Sequence, residues 1–226
     1  MSNYLKRIAD SKGAFANLLR KRRFTIFLDL LNPSGLRDSN KKLKLLDVGG
    51  TTYFWKAMDF LDREDIKITI LNLFKEDCIY RNVITVVGDA CDMKQFKDKE
   101  FDVVFSNSVI EHVGFFENQK RMAGEVQRVG EYFFIQTPNF FFPLEPHFLI
   151  FGFQFLPTKL KAWLLRHFNI GWYKKIKDYN KSLEVADSIR LLKRNELISL
   201  FPESSIEKEK LLGFTKSFMV HNFPKK

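Results

Sequence analysis

Along residues 43–136, short apolar runs alternate with polar turns and with stretches of helical period. The run Leu45, Leu46 and Val48 shows no polar alternation around Asp47, which suits a central parallel strand covered on both faces. Gly49 and Gly50 follow at its carboxyl end, where two glycines let backbone approach a ligand closely. Thr51 or Thr52 then caps a helix that carries Tyr53, Phe54, Ala57 and Met58. Further strand-like runs are Lys67–Leu73, Ile84–Val87, Phe101–Ser106 and Glu131–Gln136, while Met122, Ala123, Val126 and Val129 recur at helical spacing. Strand, helix and strand in this order predict right-handed crossovers. The expected fold class is therefore α/β, a doubly wound, mostly parallel sheet with helices on both faces, which a C-terminal strand pair brings to seven strands.

The two ends of the chain break this rhythm. Residues 4–31 read as helical, with Arg20, Lys21, Arg22 and Arg23 forming a basic face that leads into Phe24, Ile26, Phe27, Leu28, Leu30 and Leu31. At the other end, a helix over Lys193–Phe201 precedes strands at Ile206–Leu212 and Ser217–Asn222. The link between them is too short for a crossover helix, so they pair antiparallel as a C-terminal hairpin. The expected organisation is an N-terminal helical segment over 1–42 and one domain over 43–226, with a helical, Phe-rich insert after the fifth strand at 139–185.

Charge changes the picture more than composition does. Thirty-seven Lys and Arg stand against 27 Asp and Glu, a net +10 that favours acidic partners. The two cysteines, Cys78 and Cys91, form no CxxC pair, and no spacing of His, Cys and carboxylates suggests a metal, so none is expected. No G-x-S-x-G elbow supports a hydrolase. No run approaches the roughly 20 apolar residues of a membrane span, and the N-terminus lacks a signal-peptide core, so a cytoplasmic protein is expected.

The succession LLDVGG, ILNL, VVGDA and FDVVFSNSVIEHV, then a fifth strand and a terminal hairpin, resembles the class I S-adenosylmethionine-dependent methyltransferases, near the type-11 domain. The likeness runs motif by motif over residues 43–137 and by topology beyond. It implies a Rossmann-like sheet and S-adenosylmethionine as cofactor. Asp47, Gly49, Gly50 and Thr51 match the first motif, against the methionine portion. Asn72 and Leu73 fall where the family grips the ribose, usually with a carboxylate; here an amide keeps the acceptor oxygen without the charge, so Asn72→Asp is expected to hold the cofactor at least as well. Asp89 and Ala90 match the pair that reads the adenine edge. Ser106 and Asn107 match the strand-four exit near the transferable methyl. The first turn lacks the family's third glycine, and with no glycine between Gly50 and Gly88 it also lacks the G-x-G-x-x-G of a nicotinamide enzyme.

Methyl transfer from a sulfonium needs the acceptor held in line and water excluded, and a base only where the acceptor loses a proton. Candidate catalytic groups are His112, with Glu111 beside it, and Glu145 and His147 after the fifth strand. The acceptor expected is a hydroxyl or similar group on a small molecule or glycan, a lipid-linked one included; the alternative is that the chain is a non-catalytic protein of the same fold that serves as a binding partner. Nucleic acid is disfavoured, because Ser106, Asn107, Ser108 and Val109 lack the proline of base-methylating enzymes. The first half of the insert packs seven phenylalanines into residues 139–157, broken by Pro143, Pro146, Gly152 and Pro157. The second half interleaves Trp163, Phe168 and Trp172 with Lys159, Lys161, Arg166, Lys174, Lys175 and Lys177, a composition suited to a lid or to peripheral membrane contact over 139–181.

Overall fold

The computed structural model describes residues 14–32 and 41–224. The first part of the expected N-terminal helix, 4–13, lies outside the described residues. Seven strands form one sheet in the order β3-β2-β1-β4-β5-β9-β8, with β1 at Leu43–Val48, β2 at Ile66–Asn72, β3 at Val83–Val87, β4 at Phe101–Asn107, β5 at Gly130–Pro138, β8 at Ser205–Leu211 and β9 at Phe214–His221. A separate two-stranded ribbon pairs β6 (Leu144–Glu145) antiparallel with β7 (Ile150–Phe151). β3 and β8 are the edges of the large sheet.

The described residues divide into two compact units, one made of those up to 107 with 121–135 and 221–224, the other of residues 108–120 and 136–220. In the first, β1 pairs in parallel with β2 and β4, and β2 with β3. Every β1 residue but Lys44 is buried, as expected of a strand covered on both faces. Helix α1 (Ala14–Leu31) covers one face: Phe27 meets Phe105 at 5.1 Å and Phe134 at 5.5 Å between ring centroids, and Phe24 packs edge-on to Trp55 at 5.8 Å. The basic run on α1 is not uniformly solvated, since Arg23 is buried while Lys21 and Arg22 are exposed. Helix α2 spans Thr52–Ala57, and α3 spans Phe116–Val129 with Met122, Ala123, Val126 and Val129 buried at the expected spacing.

The second unit holds the insert. After the ribbon come helices α4 (Thr158–His167), α5 (Tyr179–Asp187) and α6 (Arg194–Leu200). Phe148, Phe153, Ala162, Leu165, Ile170 and Ala186 form its own core. The Phe-rich stretch thus divides its rings: Phe148 and Phe153 are buried, whereas Phe141, Phe151 and Phe155 are exposed. The basic-aromatic stretch is helical only as far as His167 and then runs irregularly through Phe168 and Trp172. Strands β8 and β9 are joined by Leu212 and Gly213, both at positive φ (50° and 83°), the pattern of a type I′ hairpin turn.

Candidate functional site

In the first unit, the candidate residues gather at the carboxyl ends of β1, β2, β3 and β4, where open α/β sheets bind ligands. Gly49 sits at φ 76°, a left-handed conformation that glycine adopts without strain, and its N–H donates to Leu71 O at 2.7 Å. Gly50 needs its missing side chain for a different reason from the one expected. A Cβ there would lie 1.6 Å from Asp47 Oδ2, so the bare backbone receives the Asp47 carboxylate rather than a ligand.

Asp47 itself is buried and accepts a hydrogen bond from Trp55 Nε1 at 2.7 Å. Burial raises its pKa to about 7, with the Trp55 bond opposing and the Glu76 charge adding to the rise. Thr51 occupies the N-cap position of α2 but its side chain makes no capping bond; its Oγ1 is buried without a hydrogen-bond partner. The first turn is instead held by Glu76, which accepts from Thr52 N at 3.1 Å and Thr52 Oγ1 at 2.6 Å, a carboxylate at a helix N-terminus that sequence reading missed. Only the four-residue offset from Asn72, past the end of β2, could have pointed to it.

Asn72 donates from Nδ2 to Gly50 O at 2.9 Å and accepts at Oδ1 from Leu73 N at 2.8 Å. Both partners are backbone groups of fixed type, so the amide can face only one way. Leu73 is exposed. Asp89 Oδ1 accepts from Cys91 N at 2.8 Å, while Ala90 beside it is partly buried. Ser106 is buried and donates from Oγ to Val48 O at 3.0 Å, tying β4 to β1; Asn107 ends β4 partly exposed. Asp47, Gly50 and Ser106 therefore shape the turn from within. Gly49, Thr51, Asn72, Leu73, Asp89, Ala90 and Asn107 lie at or just past the carboxyl ends of these strands. The test of whether these residues fit the cofactor of the resembled family is the Thr51 hydroxyl, an unsatisfied polar group at the glycine turn that a bound ligand would complete.

In the second unit, the fold assembles a cluster that sequence spacing concealed. One ligand atom from each of Glu111, His112 and His147 lies within 4.8 Å of the others. Glu111 and His112 occupy a short 3₁₀ turn, held by Gln119, whose Nε2 donates to Ile110 O at 3.0 Å and to Arg190 O at 2.8 Å. Thr137, near the end of β5, donates from Oγ1 to Glu111 Oε2 at 2.9 Å. Glu145 grips His147 threefold, accepting from His147 N at 2.7 Å and Phe148 N at 2.6 Å while its other oxygen meets Nδ1 at 2.8 Å. Nε2 of His147 then lies 3.9 Å from Glu111 Oε1, and the His112 ring packs edge-on at 4.8 Å. Burial, then the neighbouring His147, holds His112 well below its ordinary pKa. Burial opposes charge on His147 too, but the Glu145 bond and the Glu145 and Glu111 charges outweigh it and raise its pKa.

Beside this cluster a cavity of about 250 Å³ is lined by Phe140, Glu145, Phe148, Phe153, Gln154 and Lys161, among others. Gln154 donates to Phe140 O and Phe142 O, which leaves its Oε1 buried without a hydrogen-bond partner. Burial lowers the Lys161 pKa against the pull of Asp187 and Glu145.

Comparisons with known proteins agree with the sheet. Residues 53–131 match a family model described as a methyltransferase domain. An uncharacterized protein of Mycobacterium tuberculosis is 35% identical over 78 residues, covering 34% of this chain and 26% of that protein. The chain thus spans about a quarter of the length of the curated relative it matches. Among solved structures, a Rhodobacter sphaeroides protein provisionally described as a zinc-dependent alcohol dehydrogenase aligns at TM-score 0.50 and 12% identity, covering 80% of this chain and 83% of that one. A protein from Aquifex aeolicus described as a SAM-dependent methyltransferase aligns at TM-score 0.41 and 13% identity, covering 85% and 86%. At 12% identity, the Rhodobacter sphaeroides alignment speaks to fold alone.

Proposed function

Since the chain carries a class I S-adenosylmethionine-dependent methyltransferase domain, we propose that it moves the cofactor's methyl group to a hydroxyl or similar oxygen of a small molecule or glycan, one linked to a lipid. The observation that carries this reading is the methyltransferase-domain match lying on a sheet whose strand ends present Gly49, Thr51, Asn72 and Asp89 together. When bound, S-adenosylmethionine supplies a methyl group on a sulfonium whose leaving group departs neutral.

The chain's own residues do the rest. The backbone at Gly49 and the Thr51 hydroxyl would hold the methionine portion, the end of β2 at Asn72 and Leu73 the ribose, Asp89 and Ala90 the adenine, with Asn107 beside the methyl. Asp47, fixed by Trp55, keeps the turn in shape. For the acceptor, the cavity walled by Phe140, Phe148 and Phe153 offers an apolar bed, and Gln154 Oε1 offers an oxygen to a hydroxyl donor. With no ion bound among them, Glu145 and His147, with His112 beside them, are the groups that would take the acceptor's proton.

Support for a lipid-linked acceptor comes from the exposed rings of Trp163, Phe168 and Trp172, which are 48%, 52% and 55% accessible and lie among the exposed Lys174, Lys175 and Lys177. Among the described residues no helix is long and apolar enough to cross a membrane, so this would be contact at a surface. Calorimetry with S-adenosylhomocysteine tests the cofactor half of the reading. One site per chain is expected for the native protein and none for Gly49→Val, which forces a branched side chain into a left-handed backbone. A native protein that takes up no S-adenosylhomocysteine would end the proposal.

A further inference from the structure

We propose that Glu111, His112 and His147 form a binding site for one divalent first-row transition-metal ion, with Glu145 and Thr137 orienting the ligands. The argument starts from donor chemistry. Two imidazoles and one carboxylate make a set that suits Zn²⁺, Fe²⁺, Mn²⁺ or Co²⁺, and three protein ligands leave at least one position open for an oxygen donor. All three residues belong to the same compact unit, and their ligand atoms already lie within 4.8 Å of one another.

The surrounding hydrogen bonds are those a metal site needs. Metal-bound histidines hold their second ring nitrogen on a carboxylate or carbonyl, which fixes the tautomer and turns the other lone pair to the ion. Glu145 does this to His147: Nδ1 meets Oε1 at 2.8 Å, and the remaining Nε2 looks toward Glu111 Oε1 at 3.9 Å. That separation is too long for a hydrogen bond. It is near the spacing of two ligands around one ion, about 3.3 Å for tetrahedral bonds of ~2.0 Å, so an inward shift of roughly half an ångström would complete the contact. Glu111 is oriented in turn by Thr137 Oγ1 on its far oxygen at 2.9 Å.

Burial favours the site as well: Glu111, Glu145 and His147 are all buried, so an ion held there would be shielded from bulk water. The competing account is a closed network of buried carboxylates and a protonated His147, with Lys161 contributing from the cavity wall.

The deciding experiment measures metal rather than methyl transfer, so failure here leaves the proposed activity standing. Full-length protein stripped with a chelator is titrated with Co²⁺ and with Zn²⁺ by calorimetry, and the visible absorption of bound Co²⁺ is recorded. One equivalent per chain is expected, with nitrogen-type absorption bands. Affinity should fall at least a hundredfold in Glu111→Gln and in His112→Asn, and ten- to a hundredfold in Glu145→Gln, whose residue acts only through His147. Thermal unfolding in chelator checks each variant's fold. Should Glu111→Gln not fold, paramagnetic shifts of the His112 and His147 ring protons in Co²⁺-loaded native protein carry the same decision. Binding below a tenth of an equivalent, affinity unchanged in the variants that fold, or ring protons that Co²⁺ leaves unshifted would overturn the site and leave the buried network as the account.

Discussion

Asn72 Nδ2 donates to Gly50 O at 2.9 Å, so the end of β2 fastens the glycine turn at the end of β1. This reverses the expectation for Asn72→Asp. A carboxylate cannot donate, and it would set negative charge against a carbonyl oxygen in a partly buried place. The variant should lose about 1–3 kcal/mol of stability and bind S-adenosylhomocysteine more weakly than the native protein. Denaturant unfolding beside calorimetry checks both. Unchanged stability with tighter cofactor binding would mean that position 72 acts as a ribose acceptor after all.

Asp47 makes the stability of the fold depend on pH. Its folded pKa of about 7 lies above its ordinary 3.8, so the folded chain keeps a proton that the unfolded chain releases. The resulting contribution is complete below about 3.8 and is lost as the pH rises through about 7. Asp47→Asn keeps an acceptor for Trp55 and removes the titration. Relative to the native protein, its stability should gain on the order of 2–4 kcal/mol between pH 4 and pH 8, read as diverging melting curves. Parallel curves for the two proteins would show that Asp47 is already ionised in the fold.

Leu212 is strained for its residue type. It sits at φ 50° in the β8–β9 turn, is 89% exposed and so gains nothing from packing. Leu212→Asn should raise stability by about 0.5–1 kcal/mol, since asparagine tolerates the left-handed region and suits this turn. A rise in the melting temperature with unchanged cofactor binding is the expected result; a fall would mean that the leucine side chain makes a contact in solution.

The surface-contact reading separates by lipid charge. At low salt the protein should sediment with anionic vesicles and stay in solution with neutral ones, and Trp163→Ser combined with Trp172→Ser should weaken the pelleting several-fold. Sedimentation indifferent to lipid charge, or none, leaves these rings as the outer face of a helical cover and favours an acceptor free in solution.

Much of the fold was legible because strand and helix periods are local signals. The runs at 43–48, 66–72 and 101–107 each announce themselves within a few residues, and the short link at 212–213 permits only an antiparallel pair. The site was legible by likeness and less so in its physics. Nothing in a linear reading says that Trp55 folds back onto Asp47, that Gly50 is bare in order to receive that carboxylate, or that Asn72 donates rather than accepts. Those facts depend on which side chain reaches a crowded turn first. The Glu111, His112 and His147 cluster escaped for another reason: its members come from two distant stretches joined only when the 3₁₀ turn after β4 meets the loop after β6.

The two edges of the sheet are unlike in chemistry. β8 carries Glu207, Lys208 and Lys210 outward, charges that repel an incoming strand. β3 is Val-Ile-Thr-Val-Val, with Ile84 and Val87 exposed and no charge along it. A second chain that adds to this sheet therefore meets resistance at one border and an open template at the other. Crowding, heating or concentration should thus express itself first as self-association through β3, and a single lysine at position 84 would close that border.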